Sequence, residues 1–117
     1  MTIDYNDILP LKKGYVEKLK ELEIETNKLS GLSKDVAEKE CMYRESKAKA
    51  YLKMLADDQK VTVISTLAAG KTAEHRLVFK IAEGVLRAAR ENIKRIHSNV
   101  EAYRTLISIA KAEVNIR

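Results

Sequence analysis

The 117 residues carry 22 Lys plus Arg against 17 Asp plus Glu, a formal charge of +5, with four Gly, one Pro, one Phe and no Trp. A chain this short holds a modest core at most, and its wealth of Ala, Lys, Glu, Leu and Ile favours amphipathic helices over sheet. No apolar run approaches the roughly 20 residues that span a bilayer, and the first ten residues lack the n- and h-regions of a signal peptide, so no membrane partner and a cytoplasmic setting are expected.

The predicted elements run in chain order as follows. Asn6 or Asp7 ahead of Pro10 reads as a helix start, because Pro is tolerated in the first turn. From Ile8 through Leu11, Tyr15, Leu19, Leu22, Leu29 and Val36 apolar residues keep a three-to-four spacing. Gly31 and Ser33 interrupt it and allow either a break or a continuous helix, so a first helix is placed over 7–30 and a second over 33–57. On the second, Ala37, Cys41, Arg44, Ala48, Tyr51 and Leu55 form an apolar stripe on which inert burial is expected for Cys41. A polar linker, Asp57 to Lys60, follows.

Val61 to Arg76 reads VTVISTLAAGKTAEHR, and its Gly-Lys-Thr resembles the end of a phosphate-binding loop. That loop needs a second glycine five residues before Gly70, where Ser65 stands, and a parallel sheet for which no strands are available. The stretch instead predicts a short helix over 62–69, capped by Thr62 and ended by a left-handed Gly70, with Thr72 capping the next helix. A helix-turn-helix reading, with Lys71, Arg76 and Lys80 at a groove, is a weaker match to the same residues.

The last segment, 73–116, carries the strongest pattern. Phe79, Ala82, Leu86, Ala89, Ile93, Ile96, Val100, Tyr103, Ile107, Ala110 and Val114 alternate steps of three and four, a coiled-coil seam over about five heptads. Phe79, Leu86, Ile93, Ile96, Val100, Tyr103 and Ile107 are the expected oligomer seam, and a homo-oligomer is expected. Val78, Ile81 and Val85, then Leu106, Ile109 and Ile116, widen the apolar surface and imply a further neighbour at each end. The fold expected is all-α: a helical hairpin or three-helix bundle around a long C-terminal coiled-coil helix.

Residues 1–40 have 7 basic and 9 acidic side chains, and residues 41–117 have 15 and 8, so the later part carries the positive excess. Lys80, Arg87, Arg90, Lys94, Arg104 and Lys111 line one flank of the last helix, where a pair such as Arg87–Glu91 is also possible, and the second helix adds Arg44 and Lys47. These eight cations are the candidate nucleic-acid-binding residues, because a basic helix flank can track a phosphate backbone. His75, His97 and Cys41 have no metal-ligand spacing, and ordinary packing accounts for both histidines. No metal, no cofactor and no catalytic residue is expected, and a hydrolase is kept only as a reserve.

Residues 43–117 resemble small helical proteins encoded in the early recombination and replication regions of phages of Gram-positive bacteria. The resemblance rests on the Tyr43-Arg44 helix, the short helix ending at Gly70, the Ala82-Glu83 pair and Tyr103-Arg104-Thr105-Leu106. It implies a host-cell cytoplasmic setting and no particular activity. The function expected is a non-catalytic accessory protein contacting nucleic acid in recombination or replication. The alternative is a protein–protein adaptor or inhibitor of a host or phage enzyme.

Overall fold

A computed structural model describes residues 5–58 and 60–116. The chain is all-α, with three helices and no strand among the described residues: α1 (Tyr5–Ala56), α2 (Val61–Lys71) and α3 (Ala73–Ile116).

α1 is one helix of 52 residues. Gly31 and Ser33 lie inside it, so there is no break where the sequence allowed one, and a Cβ at Gly31 would meet nothing within 4 Å. Pro10 also lies inside α1, in its second turn rather than its first. The helix ends at Asp57 and Asp58, and Asp58 takes φ 58°. An aspartate tolerates this left-handed conformation better than most side chains because its carboxylate can hydrogen-bond locally.

α2 begins at Val61 after Lys60, whose backbone is extended and whose side chain makes no cap. Thr62 is therefore already helical, and its side chain lies outside the described residues. Gly70 does not terminate α2: no glycine among the described residues has a positive φ, and the helix runs on to Lys71. The corner is Thr72. Its backbone N–H and its Oγ1 both donate to the Ala68 carbonyl, at 3.1 and 2.7 Å, while its own carbonyl accepts from Arg76 to start α3. The hydroxyl thus closes α2 instead of capping α3, and with Thr72 only 1 % exposed it satisfies a carbonyl that water cannot reach.

The chain divides into two compact units. One comprises the described residues up to Leu29 with those from Ala89 onward; the other is Ser30–Ala88. In the first, Tyr103 of α3 packs against α1 at Gly14, where a Cβ would stand 2.7 Å from the ring. In the second, Met54 of α1 forms a buried cluster with Ile64 and Ala68 of α2, flanked by Ala50. Along α3 every position of the 3.5-residue seam is buried or half-buried, with Ile96, Val100 and Ala110 at 0, 2 and 2 % exposure. The strict period is met by cover from within the chain.

The later half of α1 departs from expectation. Ala37, Cys41, Arg44, Ala48, Tyr51 and Leu55 are all exposed. The covered face is Val36, Lys39, Glu40, Tyr43, Ser46, Ala50 and Met54. Three of those residues are polar, so hydrophobicity alone pointed to the opposite side of the helix.

Candidate nucleic-acid interface

All eight candidate cations, Lys80, Arg87, Arg90, Lys94, Arg104, Lys111, Arg44 and Lys47, are exposed. Four are held by carboxylates on their own helix: Arg44 by Glu40 at 2.6 Å, Lys80 by Glu83 at 3.0 Å, Lys94 by Glu91 at 3.3 Å and Arg104 by Glu101 at 3.2 Å. Glu91 therefore serves Lys94, not Arg87. Exposed pairs of this kind are weak and open readily to a competing anion.

Within Ser30–Ala88 the structure brings two of the eight to one place. The rings of Tyr43 on α1 and Phe79 on α3 stack with centroids 6.0 Å apart and planes 24° from parallel. Lys47 Nζ stands 6.0 Å from the Tyr43 ring centroid, and Lys80 Nζ 5.3 Å from that of Phe79. Both lie within the range in which a ring face attracts a cation, which orients two ammonium groups around one aromatic pair. Tyr43 and Lys80 also border an open groove whose other walls are Ala69, Ala73, Arg76 and Leu77. Arg76 is the member the candidate set missed. It had surfaced only in the helix-turn-helix reading, and that motif asks for a turn of 3–4 residues where Thr72 alone separates α2 from α3.

The other unit holds Arg90, Lys94, Arg104 and Lys111 on α3. Arg104 Nη2 donates to Tyr15 Oη of α1 at 3.4 Å. That bond first, and the Glu101 carboxylate second, raise the guanidinium pKa above its ordinary value. Arg104 is thereby aimed and stays charged at any working pH.

The remaining candidates disperse. Cys41 is exposed, not buried, and its Sγ lies 3.7 Å from Glu45 Oε1. His75 and His97 are exposed as well, and His75 borders a shallow hollow with Met42, Glu45, Ser46 and Lys49. Among the described residues no three His, Cys, Asp or Glu side chains converge as metal ligands, and no helix is long and apolar enough to cross a membrane.

The fold and the cationic surface thus define an all-helical chain with an aromatic-centred basic groove. Comparison with protein-family models, curated proteins and solved structures finds no match.

Proposed function

We propose that this chain is a non-catalytic accessory protein that contacts nucleic acid through its basic surface, in a phage-like recombination or replication setting. The observation that carries the reading is the Tyr43–Phe79 stack with Lys47 and Lys80 over its rings and Arg76 on the same groove. Cations beside an aromatic pair suit a single strand, whose phosphates need neutralising and whose bases offer faces to a ring. Lys80 already has Glu83 as a partner, and phosphate would compete for it. Arg87, Arg90 and Lys111, exposed and with no carboxylate pair among the described residues, extend the positive supply along α3. The recombination or replication setting rests on the resemblance of residues 43–117.

A fluorescently labelled oligodeoxynucleotide titrated over a salt series tests this. Affinity should fall with salt at a log–log slope of about 0.7 per neutralised phosphate, and Lys47→Glu with Lys80→Glu should weaken binding at least tenfold and flatten that slope by about 1.4. Absence of binding at about 50 mM salt, or a double variant that binds as the parent does, refutes the reading.

The adaptor reading has its own support in the exposed heptad-spaced face of α1, where Tyr51, Leu52 and Leu55 are 37, 65 and 43 % exposed. A pull-down with and without nuclease separates the two. A stoichiometric protein that survives nuclease favours the adaptor, and recovery that vanishes with nuclease favours nucleic acid.

A further inference from the structure

The groove beside Tyr43 is more than a row of charges. Its walls come from all three helices, with Tyr43 on α1, Ala69 on α2, and Ala73, Arg76, Leu77 and Lys80 on α3. Ala69 and Ala73 face each other across the Thr72 corner, and their small side chains leave the space between the helices open. Leu77, 60 % exposed, supplies an apolar surface that nothing in its own unit covers. On α3 the residues 73, 76, 77 and 80 fall at i, i+3, i+4 and i+7, so they form one stripe. Arg76 and Lys80 stand one turn apart on that stripe, about 6 Å along the axis.

Size, charge and apolarity together select the occupant. The groove holds about 290 Å³, at the small end of ligand pockets, which run from about 300 to 1,000 Å³. Both charged residues lining it are cations, and no carboxylate lines it. Arg76 has no carboxylate pair among the described residues, and Lys80 has only the exposed Glu83. A bare anion would leave the alanine and leucine walls unused, and an aliphatic side chain would leave both cations unused. A nucleotide unit uses both, because a flat base with apolar faces is tethered to an anionic phosphate. Every base has such a face, so the fit does not depend on sequence.

We propose that this groove is a subsite for one unpaired nucleobase, seated on Ala69, Ala73 and Leu77 beside the Tyr43 ring, with its phosphate at Arg76 and Lys80. The proposal rests on the nucleic-acid reading and deepens it: the chain holds a base as well as phosphates.

The test compares two fluorescein-labelled strands of equal length, an oligothymidylate and an abasic strand that keeps every phosphate. Each is titrated with the full chain at about 50 mM salt and above. The oligothymidylate should bind about tenfold more tightly, the effect of one stacked base. Its salt slope should equal that of the abasic strand, because the phosphates are the same. Ala69→Leu and Ala73→Leu each narrow the groove and remove no cation. Either should bring the affinity for oligothymidylate down to that for the abasic strand. Both alanines are exposed and leucine is a good helix former, so circular dichroism should show the parent's helix content. If a variant nonetheless unfolds, the comparison of the two strands on the parent chain is decisive by itself. Equal affinity for the two strands overturns the proposal and leaves the nucleic-acid reading standing. No binding of either strand overturns both. A base preference that survives both alanine variants also overturns the proposal, since the base then sits elsewhere.

Discussion

Gly14 and Tyr103 show how a single missing carbon positions a helix. The Tyr103 ring lies where a Cβ at Gly14 would sit, 2.7 Å from three ring atoms. Gly14→Ala therefore gains helix propensity, about 0.5–1 kcal/mol, but overpacks the contact at a cost of about 1–3 kcal/mol. The net expectation is destabilisation by about 1 kcal/mol in urea unfolding. With Tyr103→Ala as background the same substitution should turn stabilising, and a cycle showing no change of sign would dismiss the contact as the cause. Tyr103 was legible as a seam residue from its spacing. Gly14 was not, because only the register of α1 on α3 shows what stands above it.

At the scale of the element, α1 teaches most. A glycine in mid-helix usually weakens it, yet Gly31 lies inside the single helical span of α1. Open space at Gly31 means that Gly31→Ala should stabilise the chain by about 0.5–1 kcal/mol, read as a shift of the urea midpoint at constant slope. A loss of stability would mean that the glycine permits a bend the chain needs. The seam of α3 was legible because eleven positions repeat without a miss and the residues between them are mostly polar. The later half of α1 misled because both of its faces carry small or polar residues. Lys39 and Glu40 are half-covered while Leu52 is 65 % exposed. The α2 boundary was missed for a related reason: the left-handed residue is Asp58, whereas glycine had the stronger prior at Gly70.

Across the whole molecule the buried set is thin. Nine apolar residues are buried among the described residues, four of them alanine or valine, so the chain's stability draws on few large side chains. Thr72 is the buried polar residue, and it is satisfied. With so few large buried side chains, Ile96→Ala should destabilise the chain by about 2–5 kcal/mol, read from urea unfolding. The candidate groove was legible only in part. Charge and spacing picked out Lys47 and Lys80, but 33 positions separate them in the chain. Their meeting around Tyr43 and Phe79 depends on how α1 lies against α3, which no local pattern encodes.

The exposure of Cys41 has a practical consequence. It is the chain's only thiol, and it stands in solvent on α1, three residues before the candidate cation Arg44. One nitroxide attached there labels each copy once, without any engineered cysteine. In a symmetric dimer the two labels define a single interspin distance, so a dipolar spectrum would distinguish one mode of assembly from a mixture.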